Sequence, residues 1–248
     1  MREARDKNLR AMMPADEGAD TMKDPDDKAF GSAVTTLRGK WAELKSGGVV
    51  YQEIVVPRAA VLGRYSPVFS PTGIERLSAD EFKSFLYFEN NRHWSGLHRQ
   101  GLRLASDLVL LRRALGTLVD EGRDVAKRFD EAIEMVDGLG KALASAILTV
   151  AYPESYGVWN STSETGLRTL GLWESCGRCR SIGERYERVN GILRALSMEL
   201  GIDLWSLDAL WWFMVEPGRV PKKTGDAGSG AELDFSGFGL ERQLQDFL

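Results

Sequence analysis

The sequence predicts a mainly helical protein, and three observations lead there. Leu104, Leu108, Leu111, Leu115 and Leu118 recur at spacings of three or four, the period of a helix with one apolar face. Ser78 and Glu81 stand at the spacing of a capping box, directly ahead of Phe82, Phe85 and Leu86. Further segments of the same period cover residues 125–136, 141–151, 161–170, 183–200 and 203–214, which together describe a compact all-α domain.

Taken in order, residues 1–30 are rich in Asp, Glu, Lys and Met without an apolar period and read as a mobile arm. Residues 31–75 read as an N-terminal helix followed by an extended cover. The helix spans about 28–45 and stops before Gly47 and Gly48. Val49, Val50, Tyr51, Ile54, Val55 and Val56 have the side chains of a strand, and Pro57 ends the run. A loop is expected over 66–72, then helices over about 79–89 and 105–120, so that 76–215 forms the main helical domain. Residues 216–237 have the glycine and polar content of a linker. The pattern over 238–248 is helical again; it suits either a C-terminal helix docked on the main domain or the opening helix of a restriction-type nuclease domain.

At 248 residues and 43% apolar content, the chain can bury one large core or two modest ones. It contains no apolar run of membrane-spanning length, and its start lacks a signal-like apolar segment, so a cytoplasmic, soluble protein with no membrane contact is expected. Cys176 and Cys179 are the two cysteines. Without a second pair they do not complete a zinc or iron–sulfur site, so neither metal nor other cofactor is expected and the pair reads as two reduced thiols in a loop. The net charge of −4 gives no global argument for nucleic acid. The local distribution is more suggestive: Arg92, His93, His98, Arg99 and Arg103 follow one another without an acid, and Arg178, Arg180, Arg185 and Arg188 form a second concentration.

The stretch with most chemical content is Gly138, Leu139, Gly140 and Lys141, set between two helical segments. Two glycines around one apolar residue make a tight turn that presents backbone N–H groups at the start of the next helix, where a DNA phosphate can bind without base contact. Leu139 is expected to pack inward and Lys141 to add charge at the rim. After the following helix come Tyr152 and Tyr156, then Val158, Trp159 and Asn160, and finally Leu170, Gly171 and Leu172. Over about 40 residues this order and spacing resembles the helix-hairpin-helix DNA glycosylase superfamily.

That resemblance implies a helix-hairpin-helix glycosylase-like bundle with a short extended N-terminal segment, and it implies roles. Gly138 and Gly140 match the phosphate-binding hairpin, and Asn160 falls where the family carries its catalytic aspartate. Ala142 occupies the position of the Schiff-base lysine of bifunctional relatives, which implies hydrolysis without strand cleavage. A neutral amide at 160 stabilises a developing sugar cation less well than a carboxylate. Glu164 and Asp208 are therefore further catalytic candidates, although Glu164 also fits a capping box with Ser161. An extruded base needs an aromatic pocket. Trp159 and Tyr156, beside Asn160, and His93 and Trp94 are the candidates for it, whereas Trp205, Trp211 and Trp212 read as core.

Three functions follow. The first is a monofunctional glycosylase that excises a modified base from double-stranded DNA, such as the glucosylated hydroxymethylcytosine of phage DNA, in phage defence. The second is a non-catalytic DNA-binding module of a restriction-like defence protein. The third is a protein-interaction domain in which the glycine turn is only a helix connector. Oligomeric state is not legible.

Overall fold

The computed structural model describes residues 27–173 and 179–216. The expected linker and C-terminal helix lie outside these residues, as does nearly all of the N-terminal arm. Among the described residues the fold is all-α, without a strand. The helices are α1 (Asp27–Lys45), α2 (Arg58–Tyr65), α3 (Pro71–Arg76), α4 (Ala79–Leu86), α5 (Phe88–Asn91), α6 (His98–Leu104), α7 (Leu108–Val119), α8 (Val125–Met135), α9 (Lys141–Ala151), α10 (Ser161–Thr169), α11 (Ile182–Leu200) and α12 (Leu204–Val215).

Side-chain caps fix where the helices start. The expected capping box opens α4: Ser78 Oγ accepts from the Glu81 N–H at 3.2 Å and Glu81 Oε2 accepts from the Ser78 N–H at 2.9 Å. Asp107, Asp124, Ser181 and Asp203 cap α7, α8, α11 and α12 in the same sense. Gly201, at φ 63°, ends α11 in the left-handed region and turns the chain straight into α12.

Burial explains the arrangement. In α12 every residue from Leu204 to Trp211 is buried, so it forms a central helix with α1, α10 and α11 around it. In α9 every residue from Leu143 to Val150 is buried too. The helices α7, α8 and α11 pack side by side. At the crossing of α8 and α11 a Cβ on Gly183 would lie 1.9 Å from the Ala126 carbonyl oxygen, so only glycine permits the approach. Residues of α1, α2 and α3 enter the same core as those of α7 to α12, including Leu37, Val61 and Ile74.

The extended cover expected over 49–56 is not formed. Tyr51–Val55 is a five-residue π-helical turn, with the Val56 N–H donating to the Tyr51 carbonyl at 3.0 Å. Ile54 is buried there, and its carbonyl accepts the Trp205 indole N–H at 2.8 Å. Packing on α12 thus overrides the β preference of the valines, which is a weak local bias. The expected loop 66–72 is also shorter, because Ser70 caps α3 by accepting from the Gly73 N–H at 3.0 Å. None of the described helices is long and apolar enough to cross a membrane.

Candidate functional site

The glycine turn joins α8 to α9 as expected. Gly138 has φ 94°, a conformation that disfavours any side chain, and the Leu139 N–H closes the turn on the Val136 carbonyl at 3.0 Å. Leu139 is buried. Gly140 is the N-cap of α9 and offers no side-chain bond to its free N–H groups, and a Cβ at Gly140 would meet nothing within 4 Å. The turn therefore presents an open, uncapped helix start.

The C-terminal end of α6, the helix that carries part of the basic run, reaches this turn. The Leu104 side chain, at the end of α6, is 3.4 Å from where a Cβ on Gly138 would stand. Arg99 and Arg103 of α6 are exposed, so two cations share a helix that abuts the turn. Of the remaining run, Arg92 reaches Glu53 at 3.4 Å, His98 stacks on Tyr87, and His93 is buried. The second basic concentration is elsewhere: Gly183, within it, packs on Ala126 at the opposite end of α8 from the turn. Arg178 and Cys176 lie outside the described residues; Cys179 is half-buried, and burial raises its thiol pKa.

The segment from α9 to α10 is held by buried polar groups. Asn190 accepts from the Gly157 N–H at 2.8 Å and donates to the Ser155 carbonyl at 3.0 Å, and Ser145 Oγ accepts from the Trp159 N–H at 3.0 Å. Asn160 is the N-cap of α10: its Oδ1 accepts from the Ser163 N–H at 2.9 Å, while Ser163 Oγ accepts from the Asn160 N–H at 3.0 Å. The box predicted with Ser161 and Glu164 thus sits one residue earlier, on Asn160 and Ser163. This leaves Glu164 to bind cations: its carboxylate oxygens accept from Lys141 Nζ and Arg168, at 2.8 and 2.9 Å. Burial alone would raise the Glu164 pKa, but the two hydrogen bonds and positive charges outweigh it and hold the carboxyl below its usual value.

The aromatic candidates divide. Trp159 is buried, with Lys141 Nζ 4.3 Å above its ring. Tyr156 is half-buried, and its hydroxyl is bound by Arg128, a buried guanidinium that also donates to the Leu118 carbonyl at 2.6 Å. His93 and Trp94, between α5 and α6, pack together against α12, far in sequence from the glycine turn. Trp94 Nε1–H donates to Asp208 Oδ2 at 2.9 Å, and His93 Nε2 lies 3.2 Å from the same oxygen and 3.3 Å from the Trp205 carbonyl. The His93 ring is in contact with the rings of Trp94 and Trp205.

Asn91, which sequence reasoning passed over, builds this second cluster. Its side chain is buried; Oδ1 accepts from the N–H groups of His93 and Trp94 at 2.8 and 2.7 Å, and Nδ2 donates to the carbonyls of Phe85 and Trp94 at 2.9 and 3.1 Å. The intervening Arg92 takes φ 58°, the single left-handed non-glycine among the described residues. The visible signal was an asparagine pair before a basic residue and two aromatic rings.

Burial dominates the chemistry of this cluster. It pushes the Asp208 carboxyl up to about 7, against a lowering by the Trp94 hydrogen bond, and pushes the His93 imidazole down to about 3. Between these values both groups are neutral. If the neutral His93 carries its proton on Nε2, Asp208 Oδ2 can accept two N–H groups, which leaves Oδ1 for the acid proton. That oxygen is buried without a hydrogen-bond partner.

No family model, curated protein or solved structure matches this chain. An open cleft of about 680 Å³ between α3 and α7, lined by Ile74, Val109, Arg113 and Tyr152 among others, takes in Tyr152 of the glycine-turn motif but none of the catalytic, base-pocket or phosphate-binding candidates. Among the described residues no group of His, Cys, Asp and Glu could hold a metal ion.

Proposed function

We propose that this chain binds double-stranded DNA and, as a divergent protein of the helix-hairpin-helix glycosylase type, hydrolyses the N-glycosidic bond of a modified base to leave an abasic site. Glucosylated hydroxymethylcytosine of phage DNA is the proposed substrate. One observation carries the reading: the open glycine turn at the start of α9 has the cationic helix α6 against it. Free N–H groups and the helix dipole suit a phosphate at Gly140, and Arg99 and Arg103 suit its neighbours along the backbone.

For the chemistry, Asp208 is the proposed carboxyl group in place of Asn160, whose side chain caps α10. As the glycosidic bond breaks, electrons leave with the base and positive charge develops on the sugar. Because Asp208 Oδ1 is buried, the loop that carries His93 and Trp94 must open to admit the base; the Oδ1 proton then passes to the departing base, and the resulting carboxylate stabilises the sugar cation. Water then adds its hydroxyl to the sugar carbon and returns a proton to Asp208. An acid with pKa about 7 is suited to both roles near neutrality. Residue 142 is alanine and Lys141 is ion-paired, so no amine is placed for a Schiff base.

The test is mass spectrometry of bases released from unmodified DNA and from phage DNA with hydroxymethylated or glucosylated cytosine. Free base with alkali-labile abasic sites is expected from one modified substrate. Gly140→Val, at a position where a Cβ meets nothing within 4 Å, is expected to weaken binding to all sequences; unchanged binding would remove the turn from the interface. A second reading, a DNA-binding module without chemistry, is favoured by the 5% exposure of Asp208. Binding without release of any base would select it.

A further inference from the structure

We infer that Glu164 is a built-in counter-anion that occupies Lys141 and Arg168 and so limits how strongly this face holds DNA phosphate. The inference rests on the DNA-binding reading and adds a residue that sets affinity and salt sensitivity.

The geometry is that of a restraint. Glu164 gives one oxygen to each cation: Oε2 to Lys141 at 2.8 Å and Oε1 to Arg168 at 2.9 Å. The Trp159 indole N–H, 3.3 Å from Oε2, holds the same carboxylate from a third side. Both cations also lie on indole faces, Lys141 4.3 Å above Trp159 and Arg168 4.5 Å above Trp173, and the two rings are 6.3 Å apart. Lys141 directly follows Gly140, so its ammonium group is tied back from the rim of the glycine turn. Glu164 stays ionised at neutral pH because its cations hold its pKa down.

The cluster still carries a net positive charge, two cations against one anion. All three charged side chains keep some exposure, 38% for Lys141, 56% for Arg168 and 21% for Glu164. Such a pair is screened and easily exchanged for another anion. A phosphate approaching Gly140 must therefore compete with Glu164 for Lys141. Sequence-independent binding is weakened most, since it depends almost wholly on phosphate contacts.

The experiment is fluorescence anisotropy of a labelled duplex of mixed sequence, titrated over a range of NaCl with the full chain, E164Q, K141Q and the double variant. E164Q should bind about tenfold more tightly at low salt, with log K against log salt steeper by about one to two released counterions. K141Q should weaken binding far less in the wild type than in the E164Q background, where it removes most of the gain, as a double-mutant cycle reads coupling. Equal losses from K141Q in both backgrounds, or an unchanged slope in E164Q, would overturn the inference and leave Glu164 a tie between α9 and α10. Thermal melts establish that E164Q is folded. If it is not, K141Q alone decides: a several-fold loss of wild-type affinity with a shallower slope would show Lys141 already on phosphate. Binding by E164Q but not by wild type supports the restraint in its strongest form. Failure of both to bind at any salt removes the DNA-binding reading itself, and the restraint with it.

Discussion

Glu164 and Asp208 are both carboxyl groups on helices that pack against each other, α10 and α12, yet their surroundings drive them to opposite states. Glu164 meets an ammonium and a guanidinium and is held ionised. Asp208 meets an imidazole that is itself kept neutral, an indole N–H and aromatic rings, and it retains its proton to about pH 7. Counter-charge outweighs desolvation at the first; desolvation wins at the second. Sequence places the two acids on an equal footing, and only their neighbours distinguish a charge that binds cations from a proton that can be donated.

The largest effect expected is at Asp208. Asp208→Asn should reduce base release more than about 100-fold, the scale of losing an acid–base group, while leaving DNA affinity within about twofold. Retained release would move the chemistry elsewhere.

The same variant sharpens the comparison through pH. Unfolded, Asp208 loses its proton near 3.8 and His93 gains one below 6.5; folded, these values are about 7 and about 3. Asp208 raised in this way makes stability fall as pH rises from 3.8 to 7, because the folded acid keeps a proton the unfolded one has released. His93, depressed, makes stability rise between 3 and 6.5, because only the unfolded imidazole is protonated there. The slopes oppose, so this pair contributes little pH dependence over the shared window. Asp208→Asn should leave the rising slope, up to about 1.4 kcal/mol per pH unit, and His93→Phe the falling one. Urea unfolding across that window measures both; identical profiles for the two variants would show that the two groups are not displaced in opposite directions.

Smaller effects are expected at α10. Asn160→Ala should lower stability by about 1 kcal/mol through loss of the cap, whereas Asn160→Asp should preserve it. A full loss with Asp as well would mean that the Asn160 amide N–H groups, not its oxygen, matter. Smallest is Arg168→Gln, a half-exposed pair at helical spacing, for which about 0.5 kcal/mol or less is expected from thermal denaturation.

Much of the helical layout was legible because it is local. The capping box at Ser78 and the leucine period of α7 depend on residues within a turn or two of one another. The valines before Pro57 misled because their conformation is set by Trp205, which binds the Ile54 carbonyl from 151 positions away. The glycine turn was readable from Gly138 and Gly140, but its contact with α6 through Leu104 was not. Asp208 was picked out by its apolar flanks, and His93 and Trp94 by their chemistry. That Trp94 and Asp208 touch across 114 positions is a property of packing that no spacing encodes.

The Asn91 side chain makes two donor and two acceptor bonds, the full complement ordinarily used by an amide in a buried setting. Breaking any one by rotating the side chain breaks the others at once. The backbone amides of His93 and Trp94, though they lie in a loop, are thereby shut off from solvent, and their deuterium uptake should be as slow as that of the central helices, opening only with the core that contains Asp208.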